Sequence, residues 1–165
     1  MAKFLPSNLS RDNIGNLPFG SVDTIITSPP YMDAISRQGG PVNVTGVGIS
    51  TLTAREYSPS RDNIGNMGGE TYLEAMLKVY NEMWKVLKPN GRAIVIVKPF
   101  IRKRRVVDLP YYTWLLMSRV GFKLEKLYKL RLKTQSFWRK LYYKKNPDIP
   151  KIAHEYILVC RKPAV

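Results

Sequence analysis

Among its 165 residues the sequence holds a single cysteine, Cys160, and a single histidine, His154. Neither a disulfide framework nor a thiolate metal cluster can be assembled within one chain, so no metal site is expected, and the expected home is a reducing, cytoplasmic compartment. Acids are scarce too: 12 Asp and Glu stand against 27 Lys and Arg, a formal net charge of +15. Thermophile surfaces balance lysine with glutamate, and here too little glutamate is present to do so. The excess charge therefore points to a polyanionic partner, nucleic acid first. No run of about 18 apolar residues occurs, and residues 1–6 carry no stretch of signal-peptide length, so neither a membrane span nor a secretory leader is expected. What remains is a chain with 44% hydrophobic residues, enough to bury the core of one domain spanning residues 1–165.

Val22-Asp23-Thr24-Ile25-Ile26-Thr27 is short and β-branched, and it is closed by Pro29-Pro30, whose missing N–H donors stop a strand. Residues 32–70 are rich in Gly, Ser, Thr and Pro without a sustained period and predict a long loop. Thr71 and Glu74 form a T-x-x-E capping box. Leu73, Leu77, Tyr80, Trp84 and Leu87 then recur at helical spacing until Pro89-Asn90-Gly91. Ala93-Ile94-Val95-Ile96-Val97 reads as a central parallel strand, which completes a strand–helix–strand unit. Asp108, Pro110 and Gly121 bracket a second helix through Tyr112, Leu115, Leu116 and Val120. Residues 122–132 and 156–161 read as two further strands. The expected fold is α/β, a partial Rossmann-like sheet of about four mixed strands with helices packed on it. One heptapeptide, Ser10-Arg11-Asp12-Asn13-Ile14-Gly15-Asn16, recurs letter for letter at residues 60–66, too short a repeat for a solenoid and read as a duplicated loop.

The chemistry gathers at Thr27-Ser28-Pro29-Pro30-Tyr31. An exocyclic amine whose lone pair is delocalised into a base ring needs hydrogen-bond acceptors facing it before it can attack an electrophile. Ser28 offers a side-chain oxygen and Pro29 a carbonyl, while the double proline stiffens the corner before any base arrives. Tyr31 offers a face for stacking an extruded base, an interaction of about 1 to 3 kcal/mol. A plain proline-rich turn would read the same way. The position of this one, at the carboxyl end of a strand in an open α/β sheet, favours a ligand site.

Together with Asn16-Leu17-Pro18 and Gly20-Ser21 before it, this segment resembles the catalytic motif of the DNA amino-methyltransferases. The helix ending Val86-Leu87-Lys88-Pro89-Asn90-Gly91, the strand to Val97-Lys98, Phe137-Trp138, His154-Glu155-Tyr156-Ile157-Leu158 and Arg161-Lys162 are similar to later segments of that family, in order. The resemblance implies an S-adenosylmethionine-dependent enzyme of the restriction–modification kind. It would flip a base out of DNA and methylate its amino group. Serine at the first motif position is similar to enzymes of the cytosine 4-amino group, with adenine left open. It also implies catalytic roles for Ser28, Pro29, Pro30 and Tyr31, with Thr27 and Lys98 as candidate cofactor contacts. The family's glycine-rich cofactor turn and its ribose-binding acid have no counterpart here, because Gly46-Val47-Gly48 neither follows a strand nor opens a helix. Cofactor affinity should then be weak, and the first strand should lie at an open sheet edge. A second copy or a partner chain is expected to complete the site.

The remaining charge is clustered. Arg102-Lys103-Arg104-Arg105 and, among the aromatics of residues 123–145, Lys133, Arg139 and Lys140 are the candidate nucleic-acid contacts. Phe137 and Trp138 are read as core. His154 is read as a structural strand-start residue, Lys98 and Phe100 as pocket walls, and Asp33 as either a substrate contact or a turn cap. Two other functions compete: methylation of RNA or of a protein amide, and a nucleic-acid-binding remnant without catalysis.

Overall fold

The computed structural model describes residues 14–30, 64, 67, 69–133 and 137–164, with only the backbone at 138 and 139. A one-turn 3-10 helix at Ile14–Asn16 precedes β1 (Val22–Thr27), α1 (Gly69–Val86) and β2 (Leu87–Val97). A short hairpin follows, β3 (Phe100–Arg102) and β4 (Arg105–Val107), then α2 (Leu109–Val120), β5 (Lys123–Arg131), α3 (Phe137–Lys145) and β6 (His154–Arg161). The main sheet has the order β1-β2-β6-β5. β1 and β2 are parallel, and the other two pairings are antiparallel. This is the expected mixed four-stranded α/β sheet. Most of the expected 32–70 loop lies outside the described residues.

Apolar alternation decides which face of the sheet is covered. Ala93, Val95 and Val97 are fully buried in β2, and Leu158 and Cys160 nearly so in β6. They share a core with Tyr72, Met76, Tyr80 and Met83 of α1 and with Leu109 and Met117 of α2. The in-between residues Ile94, Ile96, Ile157 and Val159 are only half-buried. On β1 the equivalent position, Ile26, is 68% exposed. Burying an isoleucine side chain is worth about 1.5–3 kcal/mol. The sheet thus leaves substantial apolar stabilisation unused on one face and along the β1 edge.

Several local expectations shift. Helix α1 begins at Gly69, so Thr71 lies inside the helix rather than capping it, and the helix ends at Val86, before Pro89. Its buried stripe is Tyr72, Met76, Tyr80, Met83 and Val86, one residue back from the expected Leu73 and Leu77. Strand β2 starts at Leu87 but its register jumps: Val22 faces Leu87, and Thr24 already faces Arg92. The intervening Pro89, which lacks a donor, and Asn90 at φ 64 bulge out of the ladder. In α2 the caps are as expected. Asp108 accepts from the Tyr111 N–H, and Gly121 at φ 118 donates to the carbonyls of Met117 and Ser118. The inward residues of α2, however, are Leu109, Pro110, Thr113 and Met117, while Tyr112 and Leu115 face solvent. Phe137, expected in the core, is 70% exposed, and the Trp138 side chain lies outside the described residues.

The repeated heptapeptide acquires a structural counterpart. Leu17 N–H donates to Ile14 O at 3.2 Å and Met67 N–H to Ile64 O at 3.1 Å, the same turn at the same letter of each copy. Both isoleucines pack against the core. No helix among the described residues is long and apolar enough to cross a membrane.

Candidate functional site

Strand β1 delivers Ser28, Pro29 and Pro30 to the carboxyl end of the parallel β1–β2 pair, where ladder pairing stops at Thr27 and Val95. Two side-chain bonds then fix the corner. The exposed Ser28 hydroxyl donates to Ile96 O of β2 at 3.1 Å. Tyr72, 1% exposed in the first turns of α1, donates its hydroxyl to Pro30 O at 2.7 Å. A serine hydroxyl has one hydrogen and two lone pairs. With the hydrogen directed at β2, the outer side of the Ser28 oxygen can act only as an acceptor. A helical stripe read through Leu73 and Leu77 gives Tyr72 no role at the site; the stripe through Tyr72 and Met76 brings it to the proline corner.

Beside the corner lies a cavity of about 540 Å³, within the usual range for small-ligand pockets. Thr27, Pro29 and Pro30 form one wall, Tyr80 and Met83 of α1 another, and Ile14 and Ile64 of the two heptapeptide copies line it as well. Of the candidate site residues, the structure brings Thr27, Pro29 and Pro30 to this cavity and leaves Ser28 exposed next to it. Tyr31 and Asp33 lie outside the described residues. Phe100 is buried in the core and does not line this cavity. Lys98 sits 3.6 Å from Glu155, each about three-quarters buried, so its charge is already met. His154 opens β6 opposite Arg131.

Basic side chains gather on the same rim. The β3–β4 hairpin leaves the end of β2, and its two-residue turn, Lys103-Arg104, has φ 46 and 61. Such turns favour Asn and Gly, since a side chain in the left-handed region costs about 1–2 kcal/mol per residue. Arg104 Nη2 bonds both carboxylate oxygens of Asp148 at 3.0 and 2.8 Å. The Arg104 guanidinium, aided by a backbone bond, holds the Asp148 carboxyl below the usual carboxylate range. Lys103, Arg105, Lys133 and Lys140 are exposed, and the Arg139 side chain lies outside the described residues.

The cofactor fit is partial. Thr27 reaches the cavity, but Glu155 is engaged by Lys98 and Asp148 by Arg104, and among the described residues no glycine-rich turn opens a helix at the carboxyl end of a strand. These residues do not form a complete nucleoside site.

Against known proteins, the sequence matches the model of the DNA methylase family over residues 22–165. No curated protein matches the chain. Its fold is similar to that of a candidate DNA modification methylase from Thermus thermophilus, complexed with S-adenosyl-L-methionine. The TM-score is 0.57 at 20% identity, over 92% of this chain and 50% of that one. It is also similar to the PvuII DNA methyltransferase, which is cytosine-N4-specific, at TM-score 0.59 and 20% identity, over 90% of this chain and 45% of that one. The chain spans about half the length of these structures.

Proposed function

The chain belongs to the DNA methylase family, and from that premise we propose that it is the target-base half of an S-adenosylmethionine-dependent enzyme methylating an exocyclic amino group of DNA, cytosine N4 before adenine N6. The observation that carries this reading is the Ser28 hydroxyl, whose hydrogen is committed to Ile96 O. Its outward lone pairs can accept an N–H of the extruded base, as can the Pro29 carbonyl. Together these bonds localise the lone pair on the amine nitrogen. S-adenosylmethionine, when bound, would supply an electrophilic methyl group; the amine proton would then leave to solvent, which asks no base of His154. Tyr31 stacks on the base, and Tyr72 holds the corner rigid through Pro30. Preference for cytosine is supported by serine at the first motif position and by the stated specificity of the PvuII enzyme.

Residues 1–165 act in this reading as one domain whose cofactor wall is completed by protein outside them, a second copy or a partner chain. The outer edge of β1, unpaired among the described residues, and its exposed Ile26 support this: an open edge strand is a template for pairing. Small-angle scattering at micromolar concentration should reveal a species larger than the monomer. A strict monomer would count against self-association.

The deciding experiment incubates the chain, alone and with candidate partners, with labelled S-adenosylmethionine and a mixture of DNA and RNA, followed by nucleoside analysis. Label in N4-methylcytosine supports the reading. Label in RNA alone transfers the activity to the other substrate, and no label in any mixture, with DNA binding intact, identifies a binding remnant. Tyr31→Ala should abolish transfer and leave nonspecific DNA binding nearly unchanged.

A further inference from the structure

We propose that the β3–β4 hairpin is a phosphate latch for duplex DNA, in which Asp148 serves as the resident counter-ion of Arg104 and is displaced by a backbone phosphate on binding. The inference rests on nucleic acid being the substrate and assigns a specific contact and its release. Four observations converge on it. The turn places two cations, Lys103 and Arg104, at backbone angles that side chains avoid, and such strained positions persist where they serve a function. The hairpin follows β2 at the rim where Ser28, Pro29 and Pro30 emerge, so a duplex presenting a flipped base to that corner also passes the hairpin.

The third observation is the pair itself. Arg104 grips Asp148 with one nitrogen on both oxygens, and both side chains are more than 60% exposed, a geometry in which the ion pair is weak and easily exchanged. A phosphate offers the same pair of acceptor oxygens with its charge fixed in the DNA backbone. Fourth, Asp148 is the only acid between residues 133 and 153, a stretch that also holds Lys133, Arg139, Lys140, Lys144, Lys145 and Lys151. A lone carboxylate in that setting holds one particular guanidinium in place while leaving the field positive.

The test is the salt dependence of binding to a DNA duplex by the 165-residue chain. Each phosphate contact adds about 0.9 to the slope of log affinity against log salt. Lys103→Ala and Arg104→Ala should each flatten the slope by that amount, which reduces the loss of affinity between about 50 and 200 mM salt by roughly 3.5-fold. Asp148→Asn should tighten binding roughly two- to five-fold at low salt, because Arg104 no longer has to be released. Lys123→Ala removes the same charge at the far end of β5 and should leave the slope unchanged. Thermal melts confirm folding, and Arg104→Gln replaces Arg104→Ala if the latter does not fold. Unchanged slopes in both hairpin variants, or weaker binding by Asp148→Asn, overturn the latch while leaving the methylase reading intact. Absence of DNA binding by the unaltered chain overturns both.

Discussion

Replacing Lys162 with methionine tests whether the end of α1 is held by one ammonium group. Lys162 Nζ lies 2.7 Å from Trp84 O, in the last turn of α1, where carbonyls run out of intrahelical donors, and 2.8 Å from Leu87 O, the first carbonyl of β2. The same nitrogen sits 5.2 Å from the centroid of the Trp84 ring. Hydrogen bonds to a charged donor contribute about 1.5–3 kcal/mol each, and a partly exposed cation–π contact about 0.5–1. Water can reach this half-buried site and recover part of the loss. Methionine keeps the aliphatic stem, and the main-chain bonds between Lys162, Asn90 and Gly91 are untouched. The expected net loss is about 2–4 kcal/mol, or a melting temperature lower by roughly 4–16 °C in a chain of this size. Urea denaturation followed by circular dichroism measures it directly. The comparator is Lys88→Met, whose partner Asp23 is 79% exposed and whose loss should stay below about 1 kcal/mol. Equal losses in the two variants, or less than about 0.5 kcal/mol at Lys162, would refute the reasoning.

Burial pushes the Cys160 thiol up to about 11 and the Tyr80 hydroxyl up to about 12, a Thr113 hydrogen bond pulling Tyr80 slightly back. Both groups stay protonated in the fold after the unfolded chain has lost its protons, so stability is intact below about pH 9 and falls as pH rises through those two values, by about 2–3 kcal/mol for each group. Cys160→Ala and Tyr80→Phe should each flatten that alkaline decline in urea titrations. A thiol reagent should leave folded Cys160 unmodified at neutral pH. Gly91→Ala would place a Cβ 2.8 Å from Lys88 O and 3.0 Å from Asp23 O, both backbone atoms, so a loss of about 1–3 kcal/mol is expected in the same assay. Tyr72→Phe leaves the Pro30 carbonyl without that donor. It should cost about 1–3 kcal/mol and lower the rate of methyl transfer more than it raises KM for DNA, whereas an unchanged rate would separate Tyr72 from the site.

What could be read from the sequence was local. The proline stop after β1, the Asp108 and Gly121 caps of α2 and the apolar run of β2 depend on neighbours along the chain, and all emerged in the fold. What could not be read depends on contacts between distant residues. Helix α1 carries two adjacent apolar stripes, one through Tyr72 and Met76 and the other through Leu73 and Leu77, and only packing against α2 and the sheet selects between them. Helix α3 escaped notice because Arg139, Lys140, Lys144 and Lys145 obscure any 3.6-residue apolar period. The β3–β4 hairpin lacks the Asn-Gly signal that marks such turns. At the site, the proline corner was visible, but the hydrogen bond that turns Ser28 into an acceptor spans 68 positions and belongs to tertiary structure alone.

The order of strands across the sheet also governs how the molecule is made. Among the described strands β6 follows β1, β2 and β5 in sequence yet lies between β2 and β5, so those strands emerge from the ribosome before the partner that joins them exists. Until residues 154–161 are synthesised, β5 has no neighbour and the parallel pair shows a second raw edge. Such long-range closure is intrinsically slow. Nascent chains halted short of that point should be the species that chaperones and proteases meet, and removing β6 would split the sheet through its middle rather than shorten it.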